Sequence, residues 1–325
     1  MIPTFHASLD PALTARVVRS VRLLYAEGAY APLDRPAHVR SASGIVHVGG
    51  RIAVIQDDAN FVALIDPETG FAHAITLPAG EDGRRQFDDV RGNKRFKLDL
   101  ECCVAVDDTL VAFGSGSTPV REKILTVRGI GTEEPEIRVA DASALYAALR
   151  ARPEFAGSEL NVEGAAVAGG TLRLFNRGNG APRAGLRPVN ASCDLDLAAV
   201  LAWLDDPCAS PPTPAAIRQY ALGDIGGLPL TFTDAAALGG SILYSAAAED
   251  SPDATRDGPV AGSAIGIIAG DSVRFGQVMG MDGRPYTGKI EGILPTSPDR
   301  LLAVVDPDDP VLPSVLLEIT IDGAG

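Results

Sequence analysis

Glu163-Gly164-Ala165-Ala166-Val167-Ala168-Gly169-Gly170-Thr171-Leu172-Arg173-Leu174 reads as an acid, a small residue, an apolar run, a glycine pair and a second apolar run. The phrase occurs four more times: Ser43 to Val54, Glu101 to Ala112, Thr233 to Tyr244, and Glu291 to Val305, the last with one extra residue before Arg300. The copies begin at 43, 101, 163, 233 and 291, a period of 58 to 70 residues. Gly49-Gly50, Asp107-Asp108, Gly169-Gly170 and Gly239-Gly240 sit at the turns, where a tight hairpin needs positive φ. A hairpin returning at so long a period predicts one β-propeller blade per copy.

Working outward, further strands are expected in each blade. Blade one continues with 61–65 and 72–77, blade two with 123–127 and 136–139. Blade three continues with 186–193 and 216–222, and blade four with 263–269 and 272–278. Blade five runs out of chain after 315–321, and the apolar-rich segment 16–25 supplies its missing strand. That closes the ring without an open seam. The expectation is an all-β, five-bladed β-propeller occupying 1–325 as a single domain. Its two helical insertions lie at 141–150 and 195–205, around Trp203.

The bulk composition agrees. Hydrophobic residues make up 46% of the 325, aromatics only 5%, and 35 Gly and 24 Pro suit many short strands joined by turns. A net charge of −14 argues against a nucleic-acid partner. No stretch has the length of a membrane span. The N-terminus has no signal-peptide pattern, so a cytoplasmic protein with no membrane partner is expected. Cys102, Cys103, Cys193 and Cys208 lack zinc spacing and read as small core fillers. His6, His38, His47 and His73 are scattered, which disfavours a serine-hydrolase triad, and His47 reads as a packed residue.

Equivalent positions on inner strands face a common axis. The repeat therefore predicts a ring of Ser43, Glu101, Glu163, Thr233 and Glu291, followed by the mostly small set Gly44, Cys102, Gly164, Asp234 and Gly292. Three carboxylates meeting in a narrow channel must take up protons, find cations or hold a metal. Oxygen ligands without His or Cys point to Ca²⁺, with Mg²⁺ second and zinc disfavoured. A water-filled acidic channel is the alternative.

The set Ser, Glu, Glu, Thr, Glu at the starts of five inner strands resembles calcium-activated apyrase. So do the phrases Ala42-Ser43-Gly44-Ile45-Val46, Lys289-Ile290-Glu291-Gly292-Ile293 and Asp107 to Gly114. Asn161-Val162-Glu163-Gly164 and Lys289-Ile290-Glu291-Gly292 are similar to the propeller family of "esterase-like activity of phytase". These resemblances imply a five-bladed propeller with Ca²⁺ on its axis, in a bacterial relative.

The mouth of such a propeller is built by the segments before the ring residues and by loops between second and third strands. Residues 84–97 concentrate basic charge, and 114–121 is rich in glycine and hydroxyls. Asp57, Asp58, Glu249, Asp250, Asp306 and Asp308 lie opposite. We expect Asp57, Arg121 and Arg177 as catalytic residues. Lys97, Arg95, Ser117, Asn176 and Lys289 are expected to bind a small anionic, phosphorylated substrate. The expected function is Ca²⁺-dependent hydrolysis of a phosphoanhydride or phosphate ester. The alternative is a non-catalytic ligand- or protein-binding propeller with a structural Ca²⁺. A glycan-active propeller ranks third, for want of aromatics at the mouth.

Overall fold

A computed structural model describes residues 2–80, 83–250 and 258–324. Among the described residues the chain is all-β with three short α-helices. The five repeats form inner hairpins: Ala42–Val48 with Arg51–Gln56, Leu100–Val106 with Thr109–Gly114, Val162–Ala168 with Thr171–Asn176, Leu228–Leu238 with Ser241–Glu249, and Ile290–Ser297 with Arg300–Val305. Both glycines of Gly49-Gly50 and of Gly169-Gly170 have positive φ, which Cβ-bearing residues adopt at a cost. Outside the hairpins lie Phe61–Ile65 and Phe71–Thr76, Lys123–Arg128 and Glu136–Asp141, Asn190–Asp196 and Ala215–Ala221, and Val260–Ala269 and Ser272–Met279.

The fifth hairpin continues into Val315–Asp322, and beyond it lies the N-terminal strand Thr14–Arg22, antiparallel, with Val315 opposite Arg22 and Asp322 opposite Thr14. The expected closing strand was 16–25. The pairing starts two residues earlier and stops at Arg22. Leu23, fully buried, donates its N–H to Ser314 O, and Leu24–Tyr25 then pairs in parallel with Phe71–Ala72 of the first sheet. The chain crosses there from one sheet to the next.

Innermost strands pack side by side in the order first, second, third, fourth, fifth, and the fifth packs against the first. The small residues after the ring positions make this approach feasible. A Cβ on Gly292 would lie 2.7 Å from Gly44 Cα, and one on Gly164 would lie 3.1 Å from Ala235 N. Apolar residues alternate between the two faces of each sheet, so the core is a set of clusters between sheets. Ile45 and Val54 pack with Leu302 and Val304, whereas Val48 and Ile55 pack with Cys103, Leu110 and Leu125.

Other expectations need correction. The third strand of the third sheet begins at Asn190, not 186, since Pro188 has no N–H to donate and Arg183 to Leu186 form a turn. Helices occupy Ser143–Arg150, Pro153–Ala156 and Leu197–Asp205, the last capped by Asp196, whose side chain accepts from Ala199 N at 2.7 Å. Cys208 and His47 are exposed rather than packed. Thr4–His6 and Ser8–Leu9 pair in parallel with the outer strands of the third and fourth sheets, covering edges that would otherwise be open. Among the described residues no helix is long and apolar enough to cross a membrane.

Candidate functional site

Each inner strand carries a β-bulge at the same repeat position. Ala42 pairs with Gln56 and Gly44 with Ile55, which skips Ser43. Glu101, Glu163, Thr233 and Glu291 are skipped in the same way. A bulge leaves its extra residue outside the ladder and re-aims the side chain. Four of the five, Ser43, Glu101, Glu163 and Glu291, line one cavity of about 50 Å³. Thr233 does not line it. That residue is fully buried and its Oγ1 donates to Ser245 Oγ at 2.9 Å.

A second repeated signal lies two residues upstream. Ser41, Asp99, Asn161, Thr231 and Lys289 are all polar and buried. Lys97 lies 2.7 Å from Asp99, whose φ is +58°, Lys289 lies 2.8 Å from Glu291, and Asn161 donates to Glu163 at 2.7 Å. Asp99 was not singled out from the sequence, and the polar residue repeated two positions before each ring residue would have pointed to it.

The acids and bases interlock. Lys97 Nζ lies 2.6 Å from Asp57, 2.7 Å from Asp99 and 3.0 Å from Asp58. Arg121 Nη1 lies 3.0 Å from Asp99 and donates to Ser117 Oγ at 2.9 Å, while Ser115 Oγ donates to Asp99 Oδ2. Across the cavity Arg177 donates to Glu249 and lies 3.4 Å from Glu163, and Lys289 Nζ lies 2.8 Å from Glu291. The predicted basic arc is thus ion-paired with the predicted acids. Arg95 is exposed and stacks over Phe96 at 4.5 Å, and it is Lys94 that reaches the cavity wall. Asn176 is fully buried and works as a backbone clamp, its Oδ1 accepting from Asn161 N at 2.8 Å. Asn161 and Asn179 line the cavity instead.

Seven carboxylates and five bases line the cavity, an excess of two negative charges. Asp57, Asp99 and Glu101 offer oxygens within 4.8 Å of one another. Lys97 serves the first two. Among the described residues Glu101 has neither a hydrogen-bond donor nor an ion-pair partner. Burial, then the charges of Asp57, Glu163 and Asp99, push its carboxyl well above the usual range. Burial also raises Asp57, against Lys97, and raises Glu291 to about 8 and Asp306 to about 7. Burial would raise Asp99 as well, but Lys97 and Arg121 hold it below its ordinary value. The site sets carboxyls shifted upward beside Asp99, which is shifted downward, a pattern found where protons are transferred.

Residues 38–321 match a family described as a family of unknown function, DUF6929. The chain belongs to that family. No curated protein matches it. Among solved structures, the chain of this DUF6929 member is similar to glutaminyl cyclase from Myxococcus xanthus, with a TM-score of 0.51 and 11% identity over 98% of each chain. It is also similar to the PQQ-bound form of aldose sugar dehydrogenase from Streptomyces coelicolor, with a TM-score of 0.43 and 13% identity over 97% of this chain and 100% of that one. The first likeness bears on fold alone and agrees with a propeller-like architecture. What matches is that fold and DUF6929, neither apyrase nor a phytase-like propeller.

Proposed function

We propose that the chain is a single five-bladed propeller, closed by residues 14–22 against 315–322. Its axial cup binds a divalent cation, Ca²⁺ ahead of Mg²⁺, and serves to hydrolyse a phosphoanhydride or phosphate ester. The observation that carries this reading is Glu101, which among the described residues has no hydrogen-bond donor and whose carboxyl lies within 4.8 Å of those of Asp57 and Asp99, in a cavity lined by seven acidic and five basic side chains. Glu101, Glu163, Glu291 and the Ser43 hydroxyl are the oxygens that would hold the ion, a donor set suited to Ca²⁺. Bound there, the cation supplies charge neutralisation at a phosphoryl oxygen. Asp57, ion-paired with Lys97 at 2.6 Å, serves as proton acceptor for an attacking water. Arg121 and Arg177 orient the anionic group as forks, exchanging part of their contacts with Asp99 and Glu163 for substrate oxygens.

A screen of nucleoside polyphosphates and phosphomonoesters, with Ca²⁺ or with EDTA, tests the catalytic part. We expect Ca²⁺-dependent turnover that Asp57→Asn lowers by about 10²-fold or more. Turnover unaffected by EDTA, or none on any phosphate substrate, contradicts it. One observation favours a second reading, a binding propeller with the cation as a rivet: Lys97, Arg121, Arg177 and Lys289 are already engaged by acids. In that case Ca²⁺ raises the melting temperature and no phosphate is released.

A further inference from the structure

Lys94 and Lys97 flank one 3₁₀ turn, Lys94–Phe96, in which Lys97 N donates to Lys94 O at 3.3 Å. Their side chains have different fates. Lys97 is buried, its ammonium shared by Asp57, Asp58 and Asp99. Lys94 is partly buried and lines the axial cavity, yet among the described residues its ammonium has neither an ion pair nor a hydrogen bond. The cavity's other bases, Lys97, Arg121, Arg177 and Lys289, are all held by acids. Lys94 is therefore the base of this cavity whose three N–H donors are uncommitted.

Lys94 also lines a second cavity, of about 140 Å³, which shares Ser41, Asp57, Asp306 and Asp308 with the first. The two spaces adjoin along that wall. Further in, the second cavity is bounded by Asp58, Asp88, Asp89, Asp309 and Arg40. Arg40 is spoken for, with Asp88 at 3.0 Å and Asp58 at 3.9 Å. Seven acidic side chains and two basic ones line this space.

We propose that Lys94 binds the substrate's phosphoryl group at the junction of the two cavities, and that the second cavity receives the organic part. This rests on the phosphate-ester reading of the cup and names its substrate class: monoesters of neutral or amine-bearing alcohols. A lysine ammonium grips phosphate oxygens as a point charge. Arg121 and Arg177 must exchange acid contacts to do the same, whereas Lys94 has no such contact to give up. A second anionic group beyond Lys94 would face Asp58, Asp88, Asp89 and Asp309, which repel it, while an ammonium there is attracted.

Binding of inorganic phosphate is measured by calorimetry, with Ca²⁺ and with EDTA, on the wild-type chain, Lys94→Gln and Lys94→Arg. With no partner to lose, Lys94→Gln should keep the wild-type melting temperature. We expect it to weaken phosphate binding at least about tenfold, and Lys94→Arg, which keeps the charge, to stay within about threefold of wild type. Equal binding by wild type and Lys94→Gln overturns the inference and leaves the axial cation standing. A wild type that takes up Ca²⁺ but no phosphate overturns it too. Phosphate held through Lys94 in a chain that hydrolyses no phosphate compound supports the anion site and overturns the hydrolase reading alone. Phosphoethanolamine and phosphoglycolate, alike in length and opposite in terminal charge, test the second cavity by competition. Phosphoethanolamine should displace phosphate at a concentration at least about fivefold lower, and equal or reversed potency overturns the assignment of that cavity.

Discussion

At the scale of single residues, the cup is a set of buried charges whose balance sets its pH response. Glu291 is raised to about 8 and Asp306 to about 7, and Asp57 and Glu101 move the same way. In the unfolded chain such carboxyls ionise near pH 4. Between that pH and the folded values the native state binds more protons than the unfolded state. The stability these groups contribute is full at acid pH and is lost as pH rises toward about 8. Melting of the EDTA-treated protein is expected to fall in temperature from pH 5 to pH 8, and Ca²⁺ is expected to flatten the slope. A metal-free melting temperature that rises across this window would show that these carboxyls are ionised in the fold. Lys97 is the counterweight, a buried ammonium shared by three aspartates. Lys97→Met leaves Asp57 without its ammonium and Asp99 and Asp58 with only Arg121 and Arg40, and should cost about 3 kcal/mol or more in urea unfolding. A loss below about 1 kcal/mol would contradict its role as hub. The ring acids were legible in the sequence because the repeat marks them. Lys97 was legible too, because basic charge concentrates in 84–97, whereas Asp99 was not, since it lies upstream of the repeated phrase.

At the scale of elements, the bulge and the glycine beside it form one device. The bulge re-aims residues 43, 101, 163, 233 and 291, and the residue after it lets neighbouring strands approach. Gly292→Ala would place a Cβ 2.7 Å from Gly44 Cα and 2.9 Å from Val304 Cγ2. It should destabilise by about 1–3 kcal/mol. Gly240→Ala meets nothing within 4 Å and should change stability by less than about 0.5 kcal/mol. Chemical denaturation of the two variants checks the difference, and equal losses would mean that inner-strand spacing is not the constraint. Strand identities were readable from alternation and turn residues. The bulges were not, because a one-residue offset in pairing leaves no mark on a period-two pattern this short. Nor was the start of the strand at Asn190, which Pro188 and the preceding turn delay.

At the scale of the whole molecule, the N-terminal strand Thr14–Arg22 pairs with Val315–Asp322 and so joins the two ends of the chain. Removing residues 1–22 would leave Val315–Asp322 as an open edge. The truncated chain is expected to lose its cooperative melting transition and to associate in size-exclusion chromatography. A monomer with an unchanged transition would show that this pairing is dispensable. The seam was foreseeable because the last repeat runs short of a strand while an apolar segment stands unused at the other end. The parallel straps Thr4–His6 and Ser8–Leu9 escaped notice because three- and two-residue strands carry no periodicity. The cup is proposed as a site for one divalent cation, centred on Glu101, which among the described residues has no ion-pair partner. Calcium titration calorimetry of the metal-free chain and of Glu101→Gln addresses it directly. One ion per wild-type chain, with binding lost or weakened at least about tenfold in the variant, is the predicted result. No binding, or equal binding by both, would contradict it.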